Sequence, residues 1–316
     1  MSAALDPGID PTNPDIFCSD LSREAGEAMV GTAVTTNLWL LLEYLGPWSA
    51  KATEDNDLPP PVQAWLQEQL ALAENSRLQF IKQNRPPEPS SSLTFFLALT
   101  REFNPRLYQF TLNTYHDLLK LDIPALLAGA GSYDRFLRID PLYLVCTNGR
   151  RDRCCSLLGL TLYQALDLHV GEATWQCTHL GGHRFAPTVA TFPNGAYYGR
   201  LSPSDLEPFI QAQESNQLYL SHLRGRCCYD DVTQAADHFL RQETGILELE
   251  GYRLLDAQPL NETRWAVRFR SPATGEIHRL TLDREISAAG HLVSCSPPKT
   301  KPVVRFRFIS HDTAKM

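Results

Sequence analysis

Between residues 140 and 216 short apolar runs alternate with helical patterns in a single order: strand, helix, strand, strand, helix. "DPLYLVC" (140–146) reads as a strand and "CSLLGLTLYQALDLH" (155–169) as a helix. "ATWQCTH" (173–179) and "PTVATFPNGAYYGRL" (187–201) read as strands, the second folded on a Pro-Asn-Gly hairpin turn. "SPSDLEPFIQAQESN" (202–216) opens on Ser202 or Ser204 as N-cap and continues as a helix. That order is the one found in a thioredoxin-like sandwich. The fold class expected is therefore α/β, an α+β sandwich, with a thioredoxin-like domain over 130–222.

The flanks are simpler. Residues 1–16 read as a flexible lead, and 17–129 as an N-terminal α/β section. There "TNLWLLLEYL" is a short apolar strand and residues 62–73 carry helical spacing (Val62, Trp65, Leu66, Leu70, Ala73). Three strand-like runs follow at 77–83, 93–100 and 106–112, with a loop at 85–92 and an interrupted helix at 115–129. The comparable order of elements suggests a degenerate copy of the same fold, although no matching side chains are visible. Residues 223–316 read as a smaller α+β subdomain, with a helix at 232–242 and strands near 250–256, 263–270, 276–282 and 303–309.

Charge and hydropathy narrow the class. The 316 residues carry a formal net charge of −7, which argues against nucleic acid as a partner. No run reaches the ~18–20 apolar residues of a membrane helix; the best, "NLWLLLEYLG", is broken by Glu43. The N-terminus has acids and prolines in place of a basic-then-apolar signal. A cytoplasmic protein without membrane insertion is the expectation. In such a chain the eight cysteines point to metal binding or redox chemistry before a disulfide framework.

Two patches carry the chemistry. "VCTNGRRDRCCS" (145–156) sets Cys146 at a strand end and Cys155 after eight intervening residues. "WQCTHLGGHRF" (175–185) sets His179 and His183 four apart around Gly181-Gly182. The glycine pair makes a turn the better reading than a helix, and lets backbone approach whatever the histidines hold. In a thioredoxin-like topology the two strand ends adjoin, so two thiolates and two imidazoles converge. By ligand softness that set suits zinc or an iron–sulfur cluster.

The segments "CTNGRRDRCC", "THLGGHRFAPT", "NGAYYGRL" and "LRGRCC", with "CSDLSREAGEAMVGTA" (18–33) and "GPW" (46–48), resemble the sucrase/ferredoxin-like family of thioredoxin-fold iron–sulfur proteins. The resemblance runs from about residue 17 to the final strand. It implies a 2Fe–2S cluster held by Cys146, Cys155, His179 and His183, with zinc on the same set as the alternative. Asn148 stands where many members carry histidine, which leaves the ligand set intact. Cys154 and Cys177 are neighbouring thiols and alternative ligands; the eight-residue spacing favours Cys155.

Two thiolates and two neutral imidazoles would leave an oxidised cluster less negative than four thiolates, and so easier to reduce. Arg150, Arg151, Arg153 and Arg184 lie in the ligand loops and are expected beside the cluster or on its solvated rim. The function expected is electron carriage, non-enzymatic, toward a redox partner protein that is a reductase or an electron acceptor. A thiol-based redox enzyme on the same scaffold is the rival, although no Cys-x-x-Cys motif is present. Sucrose chemistry finds no support, because no pair of carboxylates is singled out. Cys18, Cys227, Cys228 and Cys295 receive no role.

Overall fold

The computed structural model describes residue 13 and residues 16–84, 92–288, 290–295 and 297–315. Nearly all of the expected lead at 1–16, and the loop expected at 85–92 except its last residue, lie outside the described residues.

A short helix α1 (Cys18–Glu24) precedes strand β1 (Leu38–Glu43), helix α2 (Pro60–Leu70), and strands β2 (Ser76–Lys82), β3 (Leu93–Leu99) and β4 (Arg106–Leu112). Two 3-10 turns flank helix α3 (Ile123–Leu127). The break between the first turn and α3 comes from Asp122, which caps the Ala125 N–H, and from Pro124 in the first helical turn. Strand β5 (Leu142–Cys146), helix α4 (Arg153–Val170) and strands β6 (Thr174–Cys177), β7 (Thr188–Phe192) and β8 (Ala196–Gly199) follow, then helix α5 (Leu206–Glu214) and strand β9 (Leu223–Arg226).

These nine strands form one mixed sheet in the order β4-β3-β1-β2-β6-β5-β7-β8-β9. Its two halves repeat one topology. In the first, β1 pairs parallel with β2 across the α2 crossover and antiparallel with β3, which pairs with β4. In the second, β5 pairs parallel with β6 across the α4 crossover and antiparallel with β7, which pairs with β8. The halves meet edge to edge where the corresponding strands β2 and β6 pair antiparallel, Ile81 opposite Cys177 and Lys82 opposite Gln176. The boundary expected at 129/130 thus falls inside one continuous sheet, and β9, assigned to the C-terminal section, is that sheet's edge.

The core shows why the strands are apolar on both faces. Leu38, Leu40 and Leu42 pack beneath α2 with Val62, Trp65 and Leu66. Tyr143 and Val145 pack beneath α4 and α5 with Leu162, Leu166 and Phe209. The opposite faces close on each other: Trp39, Leu41 and Phe96 share a core with Leu142, Leu144 and Phe192, and the Trp39 and Phe192 rings meet edge-on at 5.3 Å. The sheet is curled so that its helix-free face is internal. Each fully buried Leu or Phe there is worth about 1.5–3 kcal/mol. Cys146, Cys155 and Cys177 belong to this inner core.

Helix α6 (Asp231–Thr244) then packs on an antiparallel sheet of β10 (Arg253–Pro259), β11 (Arg264–Arg270), β12 (Ile277–Ile286) and, last in the chain, β15 (Val304–Ala314). Val232, Ala236 and Leu240 meet Val267, Phe269, Leu280 and Leu282. Between β12 and β15 lies a hairpin of β13 (His291–Cys295) and β14 (Pro298–Lys301) that returns to the first turn of α4. Neither this hairpin nor α1 is expected from the sequence.

Candidate metal centre

The end of β5 delivers Cys146, and the loop from 147 to 152 turns on Asn148, whose carbonyl accepts from the Arg151 and Asp152 N–H groups. Asp152 then caps α4, its Oδ1 accepting from the Cys154 N–H at 3.0 Å. This cap places Cys154 and Cys155 in the first helical turn. Gly159 lets that turn settle on β5, for a Cβ there would overlap the Cys146 carbonyl oxygen.

Beside β5, β6 ends at Cys177 in register with Cys146. The chain then turns through Gly181 (φ +100°) and Gly182 (φ +74°), backbone conformations that glycine supplies without strain. The turn brings His179 back over the two cysteines. His179 Nδ1 lies 4.0 Å from both Cys146 Sγ and Cys155 Sγ, and the three donor atoms stand within 4.8 Å of one another.

Cys146 is held well below the usual thiol range by the hydrogen bond from Cys155, against its burial, and by the His179 ring. Cys155 is pushed well up by the neighbouring Cys146 sulfur and by its own burial. His183 is buried, its ring centroid 4.9 Å from that of His179. Its Nε2 approaches Asp152 Oδ2 at 3.5 Å, whereas its Nδ1 is buried without a hydrogen-bond partner. Burial pushes this imidazole below its ordinary pKa, and the Asp152 carboxylate opposes that shift. Cys146, Cys155 and His179 could thus hold a soft metal ion, whereas His183, though beside His179, lies outside the three-donor group.

Of the expected alternatives, Cys177 is buried outside the three-donor group, and burial pushes its thiol well up. Cys154 turns away from Cys146 toward Cys18 and Cys295, 3.5 and 3.6 Å off. The four arginines divide. Arg150 is exposed, and Arg151 lines a cleft beside His183. Arg153 donates to the Ile16 carbonyl at 2.6 Å, and Arg184 pairs with Glu27 at 2.7 Å. The guanidiniums on the histidine turn are two others: Arg77 donates to the His179 carbonyl at 2.6 Å and Arg224 to the Gly181 carbonyl at 2.9 Å. Arg224 is fully buried, with Tyr197 and Phe185 rings against it. Arg224 lies in the "LRGRCC" segment of the family resemblance, but nothing local marks the contact of either arginine with the histidine turn, since each comes from a strand distant along the chain. Asp152 is different: an acid directly before a helix is a legible N-cap.

Comparison with known proteins gives three findings. Residues 29–225, well over half of the chain, match the sucrase/ferredoxin-like family. A curated protein of the yeast Meyerozyma guilliermondii, named Altered inheritance of mitochondria protein 32, is 33% identical over 81 residues, covering 22% of this chain and 29% of that protein's own length. No solved structure matches.

Proposed function

The chain belongs to the sucrase/ferredoxin-like family, and on that footing we propose that it is an electron-transfer protein whose 2Fe–2S cluster is held by Cys146, Cys155, His179 and His183. The observation that carries the reading is the convergence of Cys146, Cys155 and His179 donor atoms within 4.8 Å, beside a buried His183 Nδ1 that nothing else engages. When bound, the group supplies a one-electron couple whose potential is raised by the two neutral imidazoles. The chain's own part is electrostatic and steric. Arg77 and Arg224 fix the histidine turn through its carbonyls and place positive charge behind it, which favours the reduced state. Leu144, Cys177 and Leu180 keep water from the cysteine side, while the histidine turn is the path outward, His179 lining one cleft and His183 another.

A redox partner, either reductase or acceptor, would dock at the cleft beside His183. Arg151, Lys299 and Lys301 line it against one acid, Asp231, so the contacting surface should be acidic even though the chain as a whole carries −7. The eight cysteines are free, which suits a reducing compartment such as the cytoplasm. Among the described residues no helix is long and apolar enough to cross a membrane.

One observation favours a second reading. Three donors within 4.8 Å also suit a single tetrahedral zinc, with His183 completing the set. Anaerobic purification, visible absorption, and iron and sulfide analysis separate the two. About two irons and two sulfides per chain with red-brown colour support the cluster; colourless protein after reconstitution, with zinc bound to this set, overturns it.

A further inference from the structure

On the far side of the same helix turn three other cysteines meet. Cys18 comes from α1, Cys154 from α4 and Cys295 from β13, and all are buried. Cys18 Sγ is 3.5 Å from Cys154 Sγ, which is 3.6 Å from Cys295 Sγ. One donor atom from each, and a carboxylate oxygen of Asp152, all lie within 4.8 Å of one another. A disulfide would bring two sulfurs to about 2.05 Å and leave the third unpaired. Thiolates on a tetrahedral ion with bonds of about 2.3 Å stand about 3.8 Å apart. Two of the three sulfur pairs stand close to that separation, and the third within 4.8 Å.

The surroundings are built for it. The Cys18 N–H donates to Cys295 Sγ at 3.0 Å, and the Cys295 N–H donates to Asp152 Oδ2 at 2.8 Å. With the Cys154 N–H on Oδ1, the carboxylate is held from two elements at once. Phe17, Leu21, Leu158, Ala186 and Leu292 close the cluster off from solvent, leaving no open position for a substrate. Soft sulfur donors in a closed shell select zinc over harder cations.

We propose that Cys18, Cys154, Cys295 and Asp152 bind one structural zinc ion. It shares no donor residue with the cluster set and does not rest on that reading. Its role follows from position. A seven-residue helix and a two-stranded hairpin cannot stand alone, and Cys18 and Cys295 lie 277 residues apart in sequence. The ion ties α1 and the β13–β14 hairpin onto the first turn of α4, the turn that also carries Cys155.

The test is metal analysis of the full chain, produced with iron and zinc supplied, as wild type, Cys18→Ser, Cys295→Ser, and Cys146→Ser with Cys155→Ser. Expected is about one zinc per wild-type chain, as for a single closed site. The Cys18 and Cys295 variants should lose it yet keep iron and colour, and the Cys146/Cys155 variant should keep it while losing both. Zinc absent from wild type, or lost only with Cys146 and Cys155, overturns the proposal; so does a second iron–sulfur cluster. Should the single variants fail to fold, zinc X-ray absorption on wild type decides. About three sulfurs near 2.3 Å and one oxygen support the site, whereas about two sulfurs and two nitrogens place the zinc on the other set and refute it.

Discussion

Asp152 faces His183, Oδ2 to Nε2 at 3.5 Å, from a position of complete burial. The pairing calls for the tautomer with its proton on Nε2, and so turns the lone pair of the unengaged Nδ1 toward ligation. Asp152→Asn keeps the α4 cap, since asparagine caps as well as aspartate, but removes one negative charge and a carboxylate ligand of the proposed zinc, so the comparison is made on protein whose zinc content is unchanged. A unit charge at roughly 8 Å in an effective dielectric of about 20 is worth about 2 kcal/mol. The midpoint potential of the iron-loaded protein should therefore rise by on the order of 0.1 V. A redox titration giving an unchanged potential would separate Asp152 from the site.

Gly159→Ala probes the joint between α4 and β5. The added methyl meets the Cys146 carbonyl oxygen, which cannot move without moving the ligand. Overpacking of this kind costs about 1–3 kcal/mol. Urea unfolding should show that loss together with reduced iron retention. Loss of stability with full iron content would mean that the joint does not set the ligand spacing.

Cys177 and Cys146 occupy paired positions on neighbouring strands, yet only Cys146 joins the three-donor group. Cys177→Ser places a hydroxyl in an apolar core and should cost about 1–3 kcal/mol, with iron per chain unchanged. Cys146→Ser should abolish iron binding. Equal iron loss in both variants would return Cys177 to the ligand set.

The C-terminal sheet should respond to acid. On β12, Asp283 is gripped by Arg264 at 2.7 and 3.0 Å and by Arg307 at 2.6 Å, contacts that hold its carboxyl below the usual range. The folded-state pKa is the lower one. Its contribution is thus present above the unfolded value of about 3.9 and disappears as pH falls through the folded value. Asp283→Asn should be less stable than wild type at neutral pH, and the difference should close below about pH 4. A difference that stays constant with pH would show that these ion pairs do not contribute.

Local periodicity makes β5, α4 and the β7–β8 hairpin legible, because each is a run whose neighbours in sequence are its neighbours in space. The repeat is legible only as an order of elements. Where β5 ends on Cys146, β1 ends on Glu43, and where α4 opens on Asp152 and two cysteines, α2 opens on Pro59 and Pro60. The topology recurs without its donors. Cys18 and Cys295 were illegible for the opposite reason: nothing local marks a contact across 277 residues, least of all through a seven-residue helix and an irregular hairpin. Arg77 and Arg224 are hidden likewise, since only folding brings their strands to the histidine turn.

His183→Cys tests the ligand set and the Asp152 contact together. Exchanging a neutral imidazole for a thiolate adds a negative charge to the cluster, and should lower the potential by on the order of 0.1–0.3 V, judging by the gap between two-histidine and all-cysteine centres. The new thiolate would also face the buried Asp152 carboxylate in place of a ring N–H, an arrangement the fold tolerates poorly. Cluster occupancy should therefore fall in the single variant and recover when Asp152→Asn is added, a coupling that additive effects cannot produce. Iron analysis and redox titration of the two single variants and the double variant measure it. Recovery of occupancy in the double variant would support His183 on the cluster with Asp152 against it; an unchanged potential in His183→Cys would take His183 off the cluster.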